Sequence, residues 1–302
     1  MTAKRWEYKR FRFSTIRLLG GALQTERQRI GATTSAHENV RIGDIYYNLN
    51  ESAHTAEVTK GPNKYSGDIV IPSSVNYNGE TYVVTSISYR AFHTSNVESI
   101  KIPDTVTSLG GAKTFYGCSY LTSVTIGNGV ASIGEMAFSS CGKLTSVSIG
   151  SGVTTIGKDA FEYCYGLKKI IVKDIAAWCN IQFGDSESNP LNYGGHLYSD
   201  DDTEITNLVI PQGVTSISNY AFYNCGGLVS ITIPSSLTSI GEYVFSYSSN
   251  LNAVYITDLI AWCRINFGSN PLSVAGHLFL NGAEVKDLVI PYGLTSINNA
   301  YS

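Results

Sequence analysis

Cysteine, histidine and clustered carboxylates are the side chains best able to do chemistry, and the chain holds six cysteines, five histidines and one short acidic run. Cys118, Cys141 and Cys164 lie 23 residues apart, and Cys225 recurs at the same place in a similar local pattern, with Ser95 and Ser248 at equivalent positions. In a layered structure, residues repeated at that interval would lie about 5 Å apart, the spacing of neighbouring strands. A disulfide is possible at that distance. Side chains that leave each layer in the same direction form instead a row of small buried groups, so free and inert thiols are expected. Cys179 and Cys263 each follow a tryptophan and read as packing residues. No C-x-x-C pair occurs, which removes the common zinc and dithiol arrangements.

His196 and His277 stand at matching places in two similar segments, and no acid or nucleophile is expected to accompany both at one offset, so both read as structural. Asp200, Asp201, Asp202 and Glu204 could ligate calcium. The duplicate segment has Asn281, Gly282, Ala283 and Glu284 instead, so a solvated turn is the expectation. Gly194-Gly195 and Gly226-Gly227 lack the strand and helix context that cradles phosphate. The residues thus point to no catalytic, cofactor-binding or metal site, and the chain is expected not to be an enzyme.

The elements that position these residues repeat. LTSVTIGNGVASIGEMAFSSCGK (121–143) aligns with LTSVSIGSGVTTIGKDAFEYCYG (144–166), and at least seven coils share L-x-x-I-x-I-P-x-x-V-x-x-I-G-x-x-A-F-x-x-C-x-x. The apolar trio of Leu121, Val124 and Ile126 marks a strand with one buried face. Pro or Gly ends it, and Pro72, Pro103, Pro211, Pro234 and Pro291, five of the eight prolines, occupy that stop. A second short strand, such as Val130–Ile133, and an Ala-Phe pair in a short helical or 3₁₀ turn complete each coil. Two longer coils copy each other, 173–198 and 257–279, with Asp174 and Asp258 as expected helix N-caps. Asp200-Asp201-Asp202 and Asn281-Gly282 are expected hairpin turns.

The net charge of −3 conceals an asymmetry. Residues 1–40 hold eight Lys/Arg against three Asp/Glu, about +5, while the rest holds thirteen against twenty-one, about −8. An acidic body lacks the basic face that nucleic acid or anionic membrane requires. No apolar run approaches the roughly 18 residues of a membrane span. The leader falls short of a secretory signal, and reads as a poor export signal or an extension ahead of the true start.

The repeat resembles the BspA-like leucine-rich repeats of surface and secreted proteins of host-associated bacteria, over about residues 65–300. That resemblance implies a leucine-rich-repeat solenoid: β-rich, with a curved parallel sheet, short second strands and short 3₁₀ or helical turns on the other side. It implies an N-terminal cap and first coil over 41–92, then a solenoid over 93–302 with variant coils at 173–210 and 257–290 and an incomplete last coil. It also implies an extracellular or cell-surface location and a protein or glycan partner on a host or neighbouring cell, with neither nucleic acid binding nor membrane insertion. A structural spacer and a carbohydrate-binding accessory protein are the alternatives, and a clear aromatic cluster on one face would favour the latter. One continuous sheet is expected from Ile102 to Ile290. Its expected binding face carries Lys169, Ile171, Asn207, Val209, Ser230, Thr232, Tyr255, Asp287 and Val289. Self-association is expected through 284–302, where Ile290, Leu294 and Ile297 would stay partly uncovered.

Overall fold

Each coil must bury one apolar face that it cannot cover alone, so coils stack on one another. The computed structural model describes residues 36–109 and 111–287, which belong to one compact unit. An antiparallel cap opens it with the strands Ala36–Ile42, Ile45–Asn50 and Thr55–Thr59, so residues 36–40 are cap rather than leader. Tyr65 ties the cap together: its phenol accepts from Tyr46 N at 3.0 Å and donates to Thr59 O at 2.6 Å.

The main side of the solenoid is a parallel ladder of Ser66–Val70, Asn96–Lys101, Ser123–Thr125, Ser146–Ile149, Lys169–Val172 and His196–Tyr198. The register follows the period, with Ser123, Ser146 and Lys169 side by side. A second ladder holds Asn207–Val209, Ser230–Ile233, Ala253–Ile256 and His277–Leu280. The sheet expected to be continuous is therefore two ladders. The reason is the hairpin after Tyr198: Glu204 pairs antiparallel with Tyr198 and Ile205 N donates to Leu197 O at 2.7 Å, so the outer edge of His196–Tyr198 is already filled. The solenoid nonetheless continues on its other sides, where Ser218 N donates to Cys179 O at 2.8 Å and Trp178 Nε1 to Ala221 O at 2.8 Å. Short second strands pair in parallel as expected, for example Ser132–Ile133 with Thr155–Ile156 and Ser216–Ile217 with Ser239–Ile240.

Inside, the Ala-Phe turn stacks its rings. Phe92, Phe115, Phe138 and Phe161 are fully buried with successive centroids 5.0, 5.0 and 5.2 Å apart, and Tyr65 extends the column 4.7 Å beyond Phe92. Phe222 and Phe245 repeat the arrangement at 5.9 Å. Where two coils cross, glycine is required: a Cβ on Gly152 would lie 1.9 Å from Asn128 O.

The turns hold a regularity that the sequence does not announce. The residue before each Ala-Phe pair or its equivalent (Arg90, Lys113, Met136, Asp159, Tyr220, Tyr243) has φ between 53° and 64°. So does the second residue after each Phe at Thr94, Ser140, Tyr163, Asn224 and Tyr247, φ 52–64°, where Gly117 alone is glycine. A left-handed conformation costs an ordinary residue about 1–2 kcal/mol. Here it turns the N–H along the stacking direction: Lys113 donates to Glu135 O, Met136 to Lys158 O, Ser140 to Glu162 O and Tyr220 to Glu242 O, at 2.7–3.0 Å. Each such bond recovers about 1 kcal/mol.

The variant coils begin as expected, with Asp174 and Asp258 accepting from Ala177 N and Ala261 N, both at 2.9 Å. Asn281 and Gly282, φ 49° and 83°, make the expected tight hairpin. The leader through residue 35, Val289, Ile290, Leu294 and Ile297 lie outside the described residues.

Candidate functional site

The thiols occupy the interior. Cys118, Cys141 and Cys164 are buried and free, and each donates to a phenylalanine carbonyl of the preceding coil, 26 residues back: Phe92 at 3.0 Å, Phe115 at 3.2 Å and Phe138 at 3.1 Å. Ser248 does the same toward Phe222 O at 2.9 Å, which explains why Ser can stand in for Cys in this row. Burial pushes the Cys164, Cys179 and Cys225 thiols up to about 12. A thiol so protonated and enclosed is a poor nucleophile.

The histidines are structural, as expected, and no acid recurs at one offset from both, but each has an acidic partner. His196 Nδ1 lies 2.5 Å from Glu204 Oε1, and His277 Nδ1 lies 2.6 Å from Glu284 Oε1, so an acid does accompany both. The offsets, eight and seven residues, differ because one hairpin loop is a residue longer. A Cβ on Gly227 would lie 2.8 Å from His196 Nδ1, so glycine lets the next coil close over the first pair. Among the described residues no Ser, Thr or Cys hydrogen-bonds to either ring. The geometry therefore holds a hairpin in place and supplies no nucleophile. The acidic turn is also structural: Asp200 Oδ1 accepts from Asp202 N at 2.9 Å and Thr203 N at 2.8 Å, and these bonds hold its carboxyl below the usual range.

The expected sheet face divides. Asn207, Val209, Tyr255 and Asp287 are exposed, and Lys169 and Thr232 are half-buried. Ile171 and Ser230 are buried and leave the face. Ile171 is flanked in register by Ser148 and Tyr198, beside Lys169, whose ammonium caps the Asp201 carbonyl and sits 4.9 Å from the Tyr198 ring centroid. Ser230 turns its hydroxyl to Asn207 Oδ1 at 2.7 Å. What stays outward on the second ladder is a strip of Val209, Thr232, Tyr255 and Phe279, the last two stacked at 4.9 Å. Phe279 was not among the expected residues, although its pairing with Tyr255 follows from aligning the variant coil with its neighbour.

A second surface, unforeseen in the sequence, runs along the turn edge. Tyr163 and Tyr165 lie 6.0 Å apart, and Tyr165 meets Tyr193 edge-on at 5.7 Å. In the next coils Tyr220 is 5.8 Å from Tyr223 and stacks on Tyr243 at 5.3 Å, while Tyr223 meets Tyr247 at 5.4 Å. The variant coil joins the two groups: the Tyr193 phenol accepts from Tyr163 N at 2.9 Å, and Asn224 Nδ2 donates to Asn192 O at 2.6 Å. Burial pushes the Tyr193, Tyr220 and Tyr223 phenols up, and the Glu187 carboxylate adds to the rise in all three. Tyr165 and Tyr247 remain 72% and 71% exposed, enough to meet a partner ring-first.

The sequence profile of the BspA type leucine rich repeat region matches residues 85–186 and 196–301 in six copies, more than half of the chain. The chain belongs to the BspA-type leucine-rich repeat family. No curated protein sequence matches this BspA-type chain. It is similar to a solved leucine-rich repeat protein from Bacteroides ovatus ATCC 8483, 25% identical over 73% of this chain and 55% of that one, with a TM-score of 0.42. The BspA-type chain thus spans about half the length of that protein. A leucine rich cell surface protein from Faecalibacterium prausnitzii A2-165 is 22% identical over 82% of this chain and 86% of its own, TM-score 0.34. The pneumococcal vaccine antigen PcpA is 15% identical over 74% and 72%, TM-score 0.32. Among the described residues no helix is long and apolar enough to cross a membrane.

Proposed function

We propose that this BspA-type chain is a non-enzymatic binding module, displayed on a cell surface or secreted, that attaches to a protein on a host or neighbouring cell. The observation that carries the reading is the outward strip of the second ladder, where Val209 stays 60% exposed and Tyr255 stacks with Phe279 beside polar Asn207 and Thr232. Solvent-facing apolar side chains in a contiguous row mark interaction surfaces. A carbohydrate-binding accessory role is the second reading, favoured by the tyrosines of the turn edge.

The test is adhesion of the purified chain to cell layers and to immobilised extracellular proteins, compared with Val209→Asp and Tyr255→Asp. Both positions are exposed, so these variants should fold normally. Loss of attachment in the variants, and its removal by protease but not glycosidase treatment of the target, is the expected result. Attachment unchanged by both substitutions, or no attachment to any protein-bearing surface, would overturn the reading.

A further inference from the structure

Along the turn edge, equivalent positions change character from one end to the other. The residue two before the turn phenylalanine reads Arg90, Lys113, Met136, Asp159, Tyr220 and Tyr243 in successive ordinary coils. Across residues 88–95, 111–120 and 134–143 the edge holds three Lys/Arg and one carboxylate. Across 157–165, 184–193, 218–226 and 241–249 it holds one lysine and five carboxylates. The exposed tyrosines differ in step with this. In the first half they are covered by the chain's own cations: Arg90 lies 5.0 Å from the Tyr89 ring centroid, Lys113 5.6 Å from Tyr116 and Lys143 4.8 Å from Tyr120. In the second half, among the described residues, no lysine or arginine lies over any of the seven tyrosines between Tyr163 and Tyr247 that form the belt.

We propose that the tyrosine belt of the turn edge, from Tyr163 to Tyr247, is a docking site for an arginine-bearing polypeptide segment. This rests on reading the chain as a binding module but uses a different surface from the sheet strip. A ring face attracts a cation through its quadrupole, and guanidinium is the cation best suited to lie flat on it. Glu187 lies on the same turn edge, its carbonyl accepting from Phe161 N at 3.1 Å, and its charge acts on the Tyr193, Tyr220 and Tyr223 phenols; it supplies a carboxylate that a guanidinium can engage as it stacks. The partner would thus provide in trans the contact that Arg90, Lys113 and Lys143 provide within the first half. Charge separates this occupant from a neutral sugar: stacking alone serves a glycan, whereas an excess of carboxylates beside uncapped rings favours a cation. The rings also meet one another edge-on or face to face, which leaves outer faces at Tyr165 and Tyr247 rather than one broad flat platform.

The experiment is fluorescence anisotropy on the full chain with three probes: a labelled twelve-residue Gly-Arg repeat peptide, its Gly-Glu counterpart and a labelled neutral hexasaccharide. The arginine peptide should bind at micromolar concentration and weaken steeply with salt. Tyr165→Ala combined with Tyr247→Ala should weaken it at least tenfold, and Glu187→Gln severalfold. Tyr120→Ala, whose ring already carries Lys143, should leave it unchanged. Circular dichroism melts of each variant confirm that these exposed substitutions leave the fold intact. The proposal is overturned if the arginine peptide does not bind, if it binds the double variant as well as the native chain, or if the hexasaccharide binds more tightly in a tyrosine-dependent way. The sheet-strip variants Val209→Asp and Tyr255→Asp should leave peptide binding unaltered, so failure of this site and failure of the attachment strip give different results.

Discussion

The inner column and the outer turn edge are built from the same turns, yet they obey different rules. Phenylalanine fills the column at Phe92, Phe115, Phe138, Phe161, Phe222 and Phe245 because each ring must cover its neighbour at 5.0–5.9 Å. One residue earlier in sequence than the Ala-Phe pair, the edge position passes from Arg90 to Asp159 to Tyr243. Stacking constrains only what points inward. Outward positions are free to vary from coil to coil, and that is where recognition can be written.

Four changes would break or sharpen this contrast. Phe138→Ala removes a ring stacked on both sides and should cost about 3–5 kcal/mol in chemical denaturation; a cost below about 1 kcal/mol would mean that the column does not bear the coil's stability. Gly152→Ala places a Cβ against the Asn128 carbonyl and should cost roughly 1–3 kcal/mol, because backbone rather than a flexible side chain must move. Ser140→Gly should stabilise by about 0.5–1 kcal/mol, since glycine is at ease at φ 64° and already stands at the equivalent Gly117. Cys164→Ser should be tolerated within about 1 kcal/mol, because Ser248 makes the same carbonyl contact.

Cys164 also carries a pH signature. Its folded thiol is raised from 9.0 to about 12, so the folded state keeps a proton that the unfolded chain releases. That contribution is complete below pH 9 and is lost as pH rises toward 12. Melting temperature measured from pH 8 to 11 should therefore fall less steeply in Cys164→Ser than in the native chain, and equal slopes would show that the thiol is not enclosed.

Much of the solenoid was legible because inward residues recur at a fixed period: the thiol row, the two Asp caps, the short second strands and the Asn281-Gly282 hairpin all follow from it. What escaped depends on relations between coils. The His196–Glu204 and His277–Glu284 pairs were hidden because unequal hairpin loops shift the acid by one position. Ile171 and Ser230 occupy outward positions of their strands, yet neighbouring coils enclose them. The break between ladders arises from a hairpin that fills an edge, which alternation of apolar residues does not encode. The left-handed turns are carried mostly by non-glycine residues, so no residue type flags them. The tyrosine belt was missed because its members occupy four different places in the repeat and converge only when the coils are stacked.

Those left-handed turns have a mechanical consequence. Their N–H groups, like those of both strand ladders, run parallel to the stack, so tension between its ends loads the bonds of one interface and then the next instead of all of them together. A 23-residue coil drawn out at about 3.4 Å per residue replaces a rung of about 4.8 Å with nearly 80 Å of extended chain. Under pull, the molecule behaves as a series of extensible links, each lengthening more than tenfold while the coils beyond it keep their surfaces intact.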